Sequence, residues 1–322
     1  MNKFLNNGYH KIFTRWSVSI LLLATFNIYV PPVSADSSSP LLAAYYDNFL
    51  AICGAKVYAW SDFNAPRESF SGVIQVGVGK RNRYALTDQN KLLAWEEDPT
   101  KSKILMENVK SFYAGKSGLF VIRNDDSLWN IQTKDLLGFG ENLSMDSLPI
   151  ASNVITASIG DSANYYVTRG GALFVQGLAH RGQYGDGKLT STDYYIQTSE
   201  NAVQVASHTG HALVLKQDGS VWGTGGNIYG PLGNHGYGDK AIQWGRIMDG
   251  ANAIATGSSH SLAIRPDGSL WIWGRNESLE PRKVMSDVIA VAAGSRSTIA
   301  LAKNSLWQWN TGGNPKRIMS CR

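Results

Sequence analysis

The stretch VIAVAAGSRSTIAL at Val288–Leu301 decides the fold, because the chain repeats it. Val73–Leu86 reads VIQVGVGKRNRYAL and matches it at seven of fourteen positions. Looser copies lie at Val109–Ile122, Val154–Val167, Val203–Leu215 and Ala253–Ile264, and a degenerate copy lies at Leu41–Ile52. One unit that recurs along a chain indicates a repeat architecture in which each unit packs against its neighbours.

Each copy is followed by a turn, a short aromatic strand and a fourth short segment. The second residues of the aromatic strands are 58, 93, 129, 174, 222, 271 and 307, so the units lie 35, 36, 45, 48, 49 and 36 residues apart. Four short antiparallel strands cannot bury both faces alone, whereas seven such sheets packed radially can. We therefore predict an all-β fold over residues 36–322, a seven-bladed β-propeller of four-stranded antiparallel blades.

The composition agrees with this architecture. The chain has 322 residues, of which 43% are apolar and 17% charged, with 33 glycines and 10 tryptophans. That is too apolar for a disordered chain, and it favours many short strands joined by tight turns. Asp218-Gly219 and Asp267-Gly268 each stand between two such strands, where glycine tolerates the positive φ of a hairpin turn.

Residues 1–35 are predicted to be a secretory signal peptide. They contain Lys3, Lys11 and Arg15 but no acidic residue. The apolar run Val18–Val30 is short for a bilayer span and typical of a signal sequence, and Val33–Ala35 supplies small residues for cleavage. An uncleaved membrane anchor is the alternative. We expect a secreted or periplasmic protein without a membrane segment after cleavage.

Cleavage also changes the charge of the protein. The whole chain has 30 basic and 25 acidic residues, and removing the leader leaves 27 against 25. A nearly neutral chain without a dense basic patch does not favour nucleic acid as a partner. We expect a monomer that binds a protein.

The two cysteines, Cys53 and Cys321, are predicted to form a disulfide bond. Alignment of the repeats places Cys321 at the position of Asp287 and Cys53 at the position of Ala302. Val288 and Ala302 should lie across from one another in an antiparallel pair. In a closed ring the blade after the seventh is the first, so the two cysteines should meet there. Two free thiols are the alternative.

No catalytic, metal or cofactor site is predicted. Ala114–Ser117 contains the GKS of a phosphate-binding loop, but the first glycine of that motif would fall at Lys110. A convincing metal site would combine histidines with cysteine or carboxylate ligands, and no such ligands accompany His208, His211 and His235 in the sequence. We therefore expect a protein that is not an enzyme.

The repeats resemble the regulator of chromosome condensation repeat, which reads roughly V-x-V-A-A-G-x-x-H-S-L-A-L, then D-G-x-L-W-x-W-G, then N-x-x-G-Q-L-G. Here the corresponding segments include IATGSSHSLAI (254–264), PDGSLWIWGRN (266–276), HRGQYGDG (180–187) and NIYGPLGN (227–234). The resemblance covers about residues 39–322 and implies an interaction scaffold. Its best-known relatives catalyse nucleotide exchange on a nuclear GTPase, which an exported protein would not meet.

Three functions follow from the fold and the resemblance. The first is an exported scaffold that presents the loops of one propeller face to a protein partner. The second is a secreted inhibitor of an extracytoplasmic hydrolase such as a β-lactamase, because secreted bacterial relatives inhibit β-lactamases through aromatic loops. The third is a hydrolase or lectin that uses the central funnel.

The binding face is predicted to carry the loops after the first and third strands, centred on blades 3 to 5. Three repeats are expanded there, chiefly at His180–Tyr195 and Asn227–Trp244. Loops longer than a turn requires often carry function, and aromatic side chains give contact area at small entropic cost. The predicted contact residues are Tyr184, Tyr194, Tyr229, Tyr237 and Trp244, with Arg81 and Arg296 at the rim.

Overall fold

The structure is a computed structural model, and it describes residues 41–61, 64–116, 118–132, 148–233 and 238–321. The predicted signal peptide lies outside the described residues. Pro32–Arg322 form one compact unit. In the described part of the chain, no helix is both long and apolar enough to cross a membrane.

Blades 1 to 3 are built from β1 to β11. Blade 1 contains β1 (Leu42–Tyr45), β2 (Asn48–Cys53), β3 (Lys56–Ser61) and β4 (Arg67–Ser71). Blade 2 contains β5 (Val73–Val78), β6 (Arg83–Thr87), β7 (Leu92–Trp95) and β8 (Lys103–Met106), with a 3-10 turn at Pro99–Lys101. Blade 3 contains β9 (Val109–Ala114), β10 (Gly118–Arg123) and β11 (Leu128–Gln132).

Blades 4 to 7 are built from β12 to β27. Blade 4 contains β12 (Val154–Ile159), β13 (Ala163–Thr168), β14 (Leu173–Gly177) and β15 (Thr192–Ser199). Blade 5 contains β16 (Ala202–Ser207), β17 (His211–Lys216), β18 (Val221–Gly226) and β19 (Lys240–Met248). Blade 6 contains β20 (Ala253–Thr256), β21 (His260–Ile264), β22 (Leu270–Gly274) and β23 (Arg282–Met285). Blade 7 contains β24 (Val288–Ala293), β25 (Ser297–Ala302), β26 (Ser305–Asn310) and β27 (Lys316–Ser320).

The seven-bladed propeller predicted from the repeats is confirmed. Six sheets have four antiparallel strands in sequence order. Blade 3 has three strands in the described residues, and Ala151 pairs with Leu128 of β11 at the position of a fourth. The first strands of successive blades contact one another around the ring, and β1 contacts β24, so the first strands are innermost and the ring is closed.

A repeated side-chain arrangement fixes the turn between the second and third strands. In blade 6, Asp267 accepts a hydrogen bond from the backbone N–H of Ser269, and Trp271 Nε1 donates to Ser269 Oγ at 3.0 Å. The Arg265 guanidinium lies 4.2 Å from the centre of the Trp271 ring. Blade 3 and blade 5 repeat the same bonds around Trp129 and Trp222. These tryptophans therefore stabilise the turns, through the hydrogen bond of the indole N–H and the cation–π contact of the ring.

The disulfide closes the ring. Cys53 ends β2, Cys321 follows β27, and they are bonded with their Cα atoms 4.8 Å apart. The register behind this prediction also holds, because Val288 pairs with Ala302. Trp60 Nε1 donates to Gln308 Oε1 at 2.8 Å in the same interface between blades 1 and 7. A covalent bond and a buried hydrogen bond thus join the first and last blades.

Candidate functional site

The propeller has two faces, made by different loops. The loops after the first and third strands of each blade emerge on one side, which we call the loop face. The turns between second and third strands and the connections between blades lie on the other side, which we call the turn face. The loops after the third strand are longest at residues 178–191 of blade 4 and 227–239 of blade 5, among those fully or largely described.

Glycine begins the loop after the first strand in five blades. These residues are Gly79, Gly115, Gly160, Gly257 and Gly294. A Cβ at Gly257 would lie 2.5 Å from Gly294 O, and one at Gly294 would lie 2.1 Å from Tyr46 O. The inner loops of neighbouring blades therefore approach too closely for a side chain at these positions.

At the aligned position of the repeat, blades 1 and 5 have Tyr45, the last residue of β1, and His208 instead of glycine. Their rings stack at 5.5 Å with an interplanar angle of 14°. Blades 1 and 5 are not neighbours, so these side chains meet across the centre of the ring. The Tyr45 hydroxyl donates to Asp161 of blade 4 at 3.0 Å. Aromatic stacking and a charge-assisted hydrogen bond thus fill the centre of the loop face.

Burial controls the electrostatics of this central cluster. Burial lowers the pKa of His208, and the Asp161 carboxylate opposes that effect. Burial, and then the same carboxylate, raise the pKa of Tyr45. His208 Nδ1 bonds Thr209 Oγ1 at 2.9 Å, whereas its Nε2 has no hydrogen-bond partner among the described residues. At neutral pH the His208 imidazole and the Tyr45 phenol are therefore both uncharged.

Tyr184 does not reach the surface, contrary to the sequence prediction. Its side chain is fully buried and packs with Val175 and Ala179. Its hydroxyl donates to Gly177 O at 2.6 Å and accepts from the backbone N–H of Thr192 at 3.0 Å. Tyr184 therefore holds the blade 4 loop closed and gives no contact area to a partner.

Trp244 is also largely structural. A Cβ at Gly185 would lie 2.5 Å from the Trp244 ring, so the indole rests directly on that glycine. The ring is half-buried against the core between blades 4 and 5. Gly187 N donates to Ile242 O at 2.8 Å beside it. The blade 4 loop is thus folded back onto β19, which the sequence pattern did not reveal.

Four other predicted contact residues lie on the surface but are spread over the propeller. Tyr194 of β15 and Tyr229 of the blade 5 loop are exposed, as are Arg81 and Arg296 on the inner loops of blades 2 and 7. Tyr237 lies outside the described residues. The structure therefore does not bring all seven predicted residues into one cluster.

Exposed aliphatic side chains that the sequence analysis missed accompany Tyr229. Together with it they form what we call the apolar patch: Leu178, Leu189, Ile228, Tyr229 and Leu279, each 45–61% exposed. They belong to the third-strand loops of blades 4, 5 and 6. A Cβ at Gly230 would lie 2.5 Å from Leu279, and Arg275 lies 4.4 Å from the centre of the Tyr229 ring. The blade 5 and 6 loops thus contact each other directly.

A cavity of about 310 Å³ opens between blades 1 and 2. Lys80, Arg81 and Arg83 line it together with Glu96 and Glu97. Among the described residues, no group of three or more His, Cys, Asp or Glu side chains could hold a metal ion. The described part of the loop face thus offers apolar surface at the patch and charged surface at the cavity.

Comparison with known proteins agrees with the repeat pattern. The sequence profile of the Regulator of chromosome condensation (RCC1) repeat matches residues 252–278. The chain is therefore similar to RCC1 repeat proteins within that one repeat. No curated protein sequence matches it.

Solved structures share the propeller fold of this chain at low identity. Human WBSCR16 is 14% identical with a TM-score of 0.67 over 81% of this chain and 86% of its own. Prp20p from Saccharomyces cerevisiae is 18% identical with a TM-score of 0.63 over 80% and 81%. The CRINKLY WD40 ectodomain of the Arabidopsis thaliana receptor kinase ACR4 is 14% identical with a TM-score of 0.54 over 88% and 98%. These likenesses show the architecture alone.

Proposed function

We propose that this protein is an exported scaffold that binds a protein partner through the loop face of blades 4 to 6. The observation that carries the proposal is the apolar patch, because five large apolar side chains are exposed on three neighbouring loops. Exposed apolar groups clustered among polar residues mark interaction sites. The patch lies one blade further along the ring than the sequence analysis expected.

The described residues of the loops beneath the patch are held in place by contacts within the propeller, which favours binding. Tyr184 and Trp244 fix the blade 4 loop, and Trp273 Nε1 donates to Pro231 O of the blade 5 loop at 2.8 Å. A surface that is already ordered pays less conformational entropy on association. The apolar patch is therefore a preorganised surface for binding.

The centre of the propeller supports binding rather than catalysis. Tyr45 and His208 stack where a ligand in a central funnel would have to lie. Propellers of similar fold bind proteins. Prp20p binds Gsp1p and histones, and another structure shows Kap60 bound to Prp20. Those partners are not carried over to this chain. They support the general role of a protein-binding propeller.

Three observations support export. The leader has the features of a signal peptide, and the Cys53–Cys321 disulfide suits an oxidising compartment. The similar propeller of ACR4 is an ectodomain. The alternative is that the partner is an extracytoplasmic hydrolase and that the protein inhibits it. Inhibition assays with the captured partner test this alternative.

Substitution of the patch is expected to release the partner. Tagged mature protein would capture partners from envelope extract and culture medium, and each would be identified by mass spectrometry. Ile228→Ala with Tyr229→Ala should weaken capture at least tenfold, because truncated apolar anchors dominate interface energies. The melting temperature should change little, since Ile228 is 61% and Tyr229 46% exposed.

The matched control removes two exposed isoleucines elsewhere, Ile104→Ala with Ile289→Ala. These lie on β8 and β24, away from the third-strand loops of blades 4 to 6. Unchanged capture by the patch variant, or equal loss in the control, would show that the partner binds another surface.

A further inference from the structure

The inner loops of blades 7, 2 and 3 carry exposed cations that form no ion pair with the described residues. These are Arg296, Lys80, Arg81 and Lys116, and blade 1 lies between blades 7 and 2 in the ring. None of the four lies within 4 Å of a carboxylate of the described residues. The turn face differs, because Lys110 and Arg169 both pair with Asp126, and Lys303 pairs with Asp287 at 3.0 Å.

The cavity between blades 1 and 2 places a further cation in the same region. The Arg83 guanidinium donates to the backbone oxygen of Glu96, and weakly to Asn48 Oδ1 at 3.4 Å. It makes no ion pair with a carboxylate of the described residues, although it is half-buried. Burial lowers the pKa of Arg83, and the nearby Glu97 opposes that effect. A half-buried guanidinium without a direct carboxylate contact is costly, and an incoming carboxylate that contacts it would offset part of that cost.

The blade 2 loop is built to supply these charges. Gly79 N donates to Asn82 O as Gly257 N donates to His260 O, so the loops of blades 2 and 6 have the same length. In blade 2 the two residues between these partners are Lys80 and Arg81, and both line the cavity.

The same cavity disfavours a continuous polyanion. Glu96 and Glu97 line it together with the three cations. A nucleic-acid backbone carries closely spaced charges that would meet these carboxylates. A polypeptide with separated carboxylates can place one near Arg83 and the others near Lys80, Lys116 or Arg296.

We propose that the inner loops of blades 7, 2 and 3 and the cavity between blades 1 and 2 bind an acidic segment of the partner polypeptide. This inference rests on the proposed function, since it assigns a second part of the same loop face. The partner would then present an acidic segment beside an apolar one. Charge complementarity of this kind directs association and partner choice more than it adds affinity.

The probe is a fluorescein-labelled peptide of alternating Glu and Gly, compared with the same peptide carrying Gln in place of Glu. Anisotropy titration at low salt should show saturable binding of the Glu peptide alone. Lys80→Gln with Arg81→Gln and Lys116→Gln should weaken it at least tenfold. The matched control Lys56→Gln with Lys91→Gln and Lys303→Gln removes the same charge from the turn face and should change binding less than twofold.

Several results would overturn the assignment. These are equal weakening by the control, no binding of the Glu peptide to the wild-type protein, or tighter binding of a single-stranded oligonucleotide than of the peptide. The variant Ile228→Ala with Tyr229→Ala distinguishes failure of the acidic-segment assignment from failure of the proposed function. If Ile228→Ala with Tyr229→Ala abolishes partner capture while the cation variant still binds the Glu peptide, only the acidic-segment assignment is wrong. The reverse pattern contradicts the apolar patch alone.

Discussion

Replacement of both Cys53 and Cys321 by serine is expected to lower the free energy of unfolding by about 4 to 5 kcal/mol. The disulfide joins residues 268 positions apart, so it closes nearly the whole propeller into one loop. A cross-link of that length removes much of the entropy of the unfolded chain. Without it, blades 1 and 7 are joined only by side-chain packing and by hydrogen bonds such as Trp60–Gln308.

The measurement is guanidinium unfolding of the oxidised wild-type protein and of the double variant, followed by tryptophan fluorescence. Reduced wild-type protein is the matched control and should unfold like the variant. A difference below about 1 kcal/mol between oxidised and reduced protein would contradict a stabilising role for the bond. Two free thiols in denatured, unreduced protein would contradict the bond itself.

Acidification from pH 8 to pH 5 is expected to cost the protein about 4 kcal/mol of stability through His211 and His260. Both are buried, with hydrogen bonds from Nε2 to Ser261 and Thr298 at 3.0 and 3.1 Å. Burial, followed by the nearby His208, lowers the pKa of each to about 3. In the unfolded chain both titrate near 6.5. Below that pH the unfolded state binds more protons, so stability falls as the pH falls towards 3.

Urea unfolding between pH 8 and pH 5 measures this dependence. Carboxylates with lowered pKa values, such as Asp218 and Asp267, protonate at still lower pH and do not confound the range. Blade 7 has Ser297 where blade 6 has His260, so His260→Ser introduces a residue that the fold already uses there. That variant should lose about 2 kcal/mol less than the wild type over the same range. Equal slopes would show that His260 is not the titrating group.

The fold was predictable from the sequence because aligning one repeat with another shows which residues occupy equivalent positions in different blades. Aligning Pro281–Val288 with the last eight residues placed Cys321 beside Cys53, and the Val288–Ala302 pair justified that step. The strand pairing and the disulfide could both be predicted without knowing which side chains are buried. A local pattern repeated seven times fixes strand order and blade number together.

The candidate site was predictable only in part, because loop composition does not report burial. Tyr184 and Trp244 looked like surface anchors, yet the blade 4 loop folds back and uses both to pack against its own blade and blade 5. The aliphatic residues of the apolar patch carried no distinctive pattern. Tyr45 and His208 did leave a signal, since they replace glycine at one position of the repeat. Bulky residues at a position that elsewhere requires glycine mark an exception worth examining.

Hydrogen–deuterium exchange of the protein with and without its captured partner tests the central claim most directly. If the partner sits on the apolar patch, amides of residues 178–191, 227–233 and 275–281 should exchange more slowly in the complex. The hairpin turns of the turn face, at 124–127, 217–220 and 266–269, provide the internal reference and should exchange unchanged. Protection of those turns, with the third-strand loops of blades 4 to 6 unprotected, would contradict binding through the loop face.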